Sequence, residues 1–208
     1  MKLIASLLIA AALVAPSLSN AAEPAAKVAK ADLVKGEATY TAVCSSCHGA
    51  DGNSMIPANP KLAQQHRDYI VKQLQEFKAG KRANAIMSGM AAGLSDDDMK
   101  NIGAWLNSKK ATEGFAKEKE LVALGERIYR GGIPDRQIAA CAGCHTPTGA
   151  GIPAQYPRLS GQHAEYAVAQ LTAFRDGVRK NSIQMTQVAA KMNDREIKAV
   201  SDYIAGLR

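Results

Sequence analysis

Two short strings constrain this chain more than anything else in it: "AVCSSCHGADG", Ala42 to Gly52, and "AACAGCHTPTG", Ala139 to Gly149. Each sets two cysteines and a histidine in the spacing C-x-x-C-H, and the second string begins 97 residues after the first. Cys44, Cys47, Cys141 and Cys144 are all the cysteines there are, so one explanation has to account for four thiols. Disulfides are a natural use of four cysteines in an exported protein, but a disulfide framework gives no reason to follow each pair with histidine. A zinc tetrathiolate usually has its two C-x-x-C pairs much closer together, and it leaves His48 and His145 idle. C-x-x-C-H is the attachment signature of c-type haem. On one helical turn, residues three apart share a face, so both thiols can reach the two vinyl groups on one porphyrin edge. The next residue, histidine, is then held against the iron as its proximal ligand. The expectation is two covalent haem c groups, one on Cys44 and Cys47 with His48, the other on Cys141 and Cys144 with His145.

The duplication extends well past the motifs. "NPKLAQQHRDYIVKQLQEFKAGKRAN", from Asn59, is repeated without a gap by "YPRLSGQHAEYAVAQLTAFRDGVRKN", from Tyr156, at the same offset of 97. "MSGMAAGLSDDDMKNIGAWLNS", from Met87, matches "MTQVAAKMNDREIKAVSDYIAG", from Met185, at an offset of 98. Upstream, "LVKGEATY" matches "LVALGERIY"; the stretch between this block and the second motif is eight residues longer and contains the loop residues "RGGIPD". The chain therefore divides into two homologous domains, residues 22–113 and 114–208, with a linker at about 108–118 in "SKKATEGFAKEK". Domains this small bury little core and usually need a staple, which a covalent haem provides.

The pattern is all-α. Leu33, Val34, Tyr40 and Val43 before the first motif, and Leu121, Leu124, Ile128 and Tyr129 before the second, lie near helical spacing. Ile70, Leu74 and Phe77 share one face, as do Val168, Leu171 and Phe174 in the copy. Ser95 with three following aspartates, and Asn193 with Asp194 and Glu196, signal the start of each domain's last helix. The extreme N-terminus has Lys2, an apolar run from Leu3 to Val14 and small residues in "SLSNAAEP". This is the layout of an export signal, residues 1–21, cleaved after Ala21 or nearby. A retained anchor is the rival, but the run is shorter than the roughly 20 residues that span a bilayer.

An electron carrier needs a second axial ligand, and a soft thioether favours ferrous iron and raises the potential. The repeat separates ligand from filler among the methionines. Met87 lies eight residues before Ser95 and Met185 eight before Asn193. Met90 matches Val188, Met99 matches Ile197, Met192 matches Leu94, and Met55 has no methionine partner. Met87 and Met185 are the expected iron ligands. His66 and His163 coincide in the repeat as alternatives, but each stands only 18 residues past its haem histidine, at a helix start. A polar role near a haem edge or at the domain surface suits them better. Arg82 and Arg179 are candidates to meet haem propionates, with solvated surface arginine as the competing role.

With "CSSCHGADGNS", "PKLAQQ", "KQLQEFKAG", "MSGM", "LSDDDM", "RGGIPD", "CAGCHTP", "GQHAEY" and "QLTAFRDG" in place, the whole mature chain resembles the cytochrome c4 family of bacterial diheme proteins. The resemblance implies two tandem class I cytochrome c domains related by a pseudo-twofold axis, each wrapped around one covalent haem, with propionates facing each other. It implies that the carbonyls of Pro60 and Pro157 accept hydrogen bonds from the proximal histidine rings, fixing ring orientation and adjusting iron basicity. It also implies a periplasmic location, loose association with the inner membrane, and electron transfer from a quinol-oxidising complex to a cytochrome oxidase. "AQQH" departs from the Ala-Gly-Gln usual in the family's first copy, which leaves that turn open.

Net charge, +2 for residues 22–113 and +4 for residues 114–208, suits a carrier docking on acidic protein partners. No basic block points to nucleic acid. The leading reading is an electron carrier without a small-molecule substrate. The runner-up is the electron-accepting cytochrome subunit of a periplasmic dehydrogenase. Further off is a diheme redox enzyme, which would need an open, histidine or cysteine distal site, whereas methionine stands in the same place in both copies.

Overall fold

The computed structural model describes residues 30–208; the expected export signal lies outside them. The first half holds α1 (Leu33–Val43), α2 (Ser45–His48), α3 (Arg67–Lys78), α4 (Ala85–Ala92) and α5 (Asp96–Asn107). The second holds α6 (Lys119–Gly131), α7 (Ala142–His145), α8 (Ala164–Arg175), α9 (Ile183–Ala189) and α10 (Asp194–Gly206), in the same order. A single turn of 3₁₀ helix, Pro134–Arg136, lies in the longer connection before α7. Among the described residues there are no strands, only two isolated bridges, and no helix is long and apolar enough to cross a membrane.

Each half is built on a close crossing of its first and last long helices. α1 starts at Asp32, whose carboxylate accepts from the backbone N–H groups of Val34 and Lys35 and whose own N–H donates to Asn101 Oδ1 on α5. The crossing point is Gly36: a Cβ there would run into the Asn101 carbonyl and the Trp105 side chain. Gly125 on α6 meets the Ala199 carbonyl and Tyr203 of α10 in the same way. Missing Cβ atoms let two backbones approach where any side chain would separate them. α3 packs against α5 and carries α4, as α8 packs against α10 and carries α9.

Tyr40, Ile70, Leu74, Phe77, Met99, Ile102, Trp105 and Leu106 form the first core. Ile128, Tyr129, Met192, Ile197, Val200 and Ile204 form the second. Ile70, Leu74 and Phe77 are all buried, as their spacing predicts, but of the copied face only Phe174 is; Val168 and Leu171 are half-buried. Both last helices begin with a full capping box, Ser95 with Asp98 and Asn193 with Glu196. Each box satisfies two backbone donors that a helix start otherwise leaves open.

The eight extra residues before α7 fold into a small loop closed by paired backbone hydrogen bonds between Ile133 and Ile138, 2.9 and 3.1 Å. Between Asn107 and Lys119 the chain is not helical, yet it is tied down. Asp202, 3% exposed, accepts from the backbone N–H groups of Lys117 and Glu118 at 2.8 and 3.1 Å. The turn at "AQQH" keeps its shape without glycine: Gln64 adopts φ +60° where its counterpart Gly161 has φ +73°. Both N–H groups go to the last helix of their own half, Gln64 to the Leu106 carbonyl and Gly161 to the Ile204 carbonyl.

Candidate haem site and its relatives

Each C-x-x-C-H motif is folded as one helical turn. His48 N–H donates to the Cys44 carbonyl at 3.0 Å, and His145 N–H to the Cys141 carbonyl at 2.8 Å. A tyrosine braces each turn from α1 or α6: Tyr40 Oη donates to the Gly49 carbonyl and Tyr129 Oη to the Thr146 carbonyl, both at 2.7 Å. All four cysteines are free thiols, as thioether attachment requires. Burial, with a smaller contribution from the neighbouring cysteine, pushes the Cys44 thiol up to about 11, and burial does the same for Cys141. No cluster of three or more metal-ligating side chains exists among the described residues.

The histidines are prepared for ligation. His48 and His145 are 6% and 5% exposed. The Nδ1 of His48 lies 3.0 Å from the Pro60 carbonyl oxygen, and that of His145 2.9 Å from the Pro157 carbonyl oxygen. A carbonyl can only accept, so Nδ1 carries the proton and Nε2 keeps its lone pair. Burial outweighs the hydrogen bond to the proline carbonyl and holds both imidazoles below their usual pKa, hence neutral near pH 7.

A cavity of about 600 Å³ is lined in the first half by Cys44, Cys47, His48, Pro60, Met87 and Arg82. It reaches across to Arg158, Tyr166 and Arg179 of the second half. Met87 sits in the first turn of α4, its N–H accepted by Asn84 Oδ1, and Met185 holds the same place in α9 with Ser182 as the cap. The other methionines separate by environment. Met99 and Met192 are in the cores at 1% and 4% exposure, and Met55 is 89% exposed. Met90 also lines the cavity but is half-exposed.

The cavity suits a flat, largely apolar group with acidic substituents. Its walls are mostly aliphatic and aromatic, and its volume is within the usual range for bound ligands and cofactors. Arg82 and Arg179 are 7% and 8% exposed, and neither pairs with a carboxylate among the described residues. They lie over the Phe77 and Phe174 rings at 4.5 and 4.4 Å. Arg158 Nε is also buried without an acceptor. Buried cations of this kind call for anions, which haem propionates would supply.

His66 and His163 are half-buried where the two halves meet. They cross between the halves, His66 Nε2 donating to the Ala150 carbonyl at 2.9 Å and His163 Nε2 to the Ser54 carbonyl at 2.8 Å. The glutamines before them cross too. Gln65 takes the Arg158 N–H and returns a bond to the Arg158 carbonyl, at 2.8 and 2.9 Å. Gln162 does the same with Lys61, at 2.9 Å each way. These reciprocal pairs are what a pseudo-twofold requires. Sequence reasoning missed the glutamines, whose one signal was their identity in both copies.

The cytochrome c family model matches residues 33–110 and again 122–208. Cytochrome c4 of Pseudomonas aeruginosa is 46% identical over 183 residues, covering 86% of this chain and 90% of that one. The crystal structure of reduced recombinant cytochrome c4 from Pseudomonas stutzeri superposes with a TM-score of 0.82 at 43% identity, covering 86% of this chain and all of that one. A more distant relative is the thiosulfate dehydrogenase electron acceptor of Stutzerimonas stutzeri, 39% identical over 169 residues, covering 79% of this chain and 78% of that one. A duplicated helical fold, two C-x-x-C-H turns and these matches converge: the chain belongs to the cytochrome c4 family, electron-carrying proteins of two cytochrome c domains with two covalently bound haem c groups.

Proposed function

We propose that this chain is an exported electron carrier in which each iron is held between histidine and methionine. The pairs are His48 with Met87 in residues 22–113, and His145 with Met185 in residues 114–208. Cys44, Cys47, Cys141 and Cys144 make the thioether bonds. The observation that carries the reading is a cavity shared by Cys44, Cys47, His48 and Met87, with buried arginines that have no carboxylate partner beside it, and the second half repeats the same sequence positions.

Haem iron supplies a one-electron couple. The chain's residues set its terms. Pro60 and Pro157 hold the histidine rings in one tautomer and orientation. The methionine thioethers favour the reduced state, and the arginines offset propionate charge.

Redox proteins are the partners: a quinol-oxidising complex as donor and a cytochrome oxidase as acceptor, in the periplasm and loosely associated with the inner membrane. No small molecule is turned over. A second reading, the electron-accepting subunit of a periplasmic dehydrogenase, is favoured by the relative that bears such a name. Reduced holoprotein mixed with oxidase-containing membranes should be reoxidised, and should turn over neither peroxide nor thiosulfate alone. Such turnover, or stoichiometric co-purification with a dehydrogenase, would displace the carrier reading.

A further inference from the structure

The two crossing glutamines reach the haem histidines through a single peptide group each. The Pro60 carbonyl that accepts from His48 Nδ1 and the Lys61 N–H that donates to Gln162 Oε1 belong to the same amide. In the other half, the Pro157 carbonyl accepts from His145 Nδ1 while the Arg158 N–H, of the same amide, donates to Gln65 Oε1. Gln65 is 6% exposed, and both glutamines return a bond to the carbonyl of the residue they hold. Each histidine's acceptor is therefore polarised by a side chain from the opposite half.

We propose that Gln162 and Gln65 are positioning residues that tune the potential of the haem in the opposite domain, Gln162 acting on His48 and Gln65 on His145. This rests on histidine ligation as given under Proposed function. An amide whose N–H is hydrogen-bonded is a stronger acceptor at its oxygen, by roughly 10–30% per bond in condensed-phase estimates. A stronger acceptor draws the Nδ1 proton, makes the imidazole a more basic ligand and stabilises ferric iron. The domain interface thereby lowers both potentials. Loss of the glutamine, or parting of the halves, releases the amide and raises the potential of the opposite haem.

The effect is crossed, and the cross separates tuning from simple loosening of the interface. Gln162→Leu and Gln65→Leu holoproteins would be titrated by proton NMR, following the signals of each haem and the Nδ1–H of each histidine. Gln162→Leu should change the ferric-to-ferrous ratio of the first haem about twofold toward ferrous at a fixed potential and shift the His48 Nδ1–H, leaving the second haem in place. Gln65→Leu should do the reverse. Gln162→Glu removes the return bond to the Lys61 carbonyl and adds a negative charge, so only a movement toward ferric accompanied by a downfield shift of the His48 Nδ1–H, with the second haem in place, supports the proposal. Equal movement of both haems in each variant, movement of the same-domain haem, or no movement would overturn the proposal. Wild-type protein without two covalent haems, or with His48 off the iron, would instead sink the reading on which it rests.

Discussion

Arg82 and Arg179, from opposite halves of the chain, share both of their glutamine acceptors: each guanidinium donates to Gln73 Oε1 and to Gln170 Oε1, at 2.7 to 3.1 Å. Two buried positive charges are thus held around one pair of neutral amides, beside the cavity. A positive charge about 10 Å from iron, at an effective dielectric near 20, disfavours the ferric state by roughly 1.7 kcal/mol, or about 70 mV. Arg82→Leu should therefore lower the midpoint potential of the first haem by several tens of millivolts, as measured by spectroelectrochemistry. An unchanged or higher potential would mean that the guanidinium does not face the haem charge.

Methionine identity is tested by substitution in matched pairs. Met87→Leu and Met185→Leu should each leave one haem high-spin or open to added ligands, and each should remove about half of the far-red sulfur-to-ferric-iron band. Met192 is core filler, so Met192→Leu should keep the band intact and change stability by less than about 1.5 kcal/mol. Met90→Leu should also keep it. Loss of the band in the Met90 variant would transfer ligation to that residue.

Gly36 and Gly125 predict large losses of stability from small changes. Alanine at either would press a methyl group into a backbone carbonyl of the opposing helix, where neither side can yield cheaply, and should cost about 1–3 kcal/mol in thermal unfolding. At the turn after the haem motif the contrast runs the other way. Gln64→Gly should be neutral to stabilising by up to about 1 kcal/mol, while Gly161→Ala should destabilise by a similar amount, because both positions have positive φ.

The Ser95–Asp98 box gives a pH dependence. Hydrogen bonds from the Ser95 hydroxyl and backbone N–H hold the Asp98 carboxyl below the usual carboxylate range. A depressed carboxyl contributes stability that is present above the unfolded value, near 4, and is lost as pH falls through the folded value. Asp98→Asn should cost about 0.5–1 kcal/mol at pH 7, and the gap to wild type should close at the acid end of the titration. A gap independent of pH would assign the loss to something other than the charge.

The duplicated helices, their caps and the buried face of α3 were legible because apolar periodicity and capping chemistry act within one segment. The interface was not. It is made by Gln65, His66, Gln73, Arg82 and their counterparts, polar residues whose pattern along a helix is the same whether they meet water or a second domain. The expectation of a haem-edge or surface role for His66 and His163 missed that they bridge the halves, since the carbonyls they reach lie 84 and 109 residues away in sequence. Gln64 holding a glycine's conformation was equally hidden: strain at one residue is set by the Leu106 carbonyl its N–H must reach.

That one electron-carrying chain holds two histidine–methionine haems of unequal potential is read out by coulometric redox titration of the holoprotein. Two electrons per chain are expected in two resolvable one-electron steps, both in the high-potential range of histidine and methionine ligation. The steps should differ because the haem surroundings differ, with Ser45 and Ser46 between one pair of cysteines, Ala142 and Gly143 between the other, and more positive charge in the second half. One electron per chain, two identical and independent centres, or a step at the low potential of bis-histidine iron would overturn it.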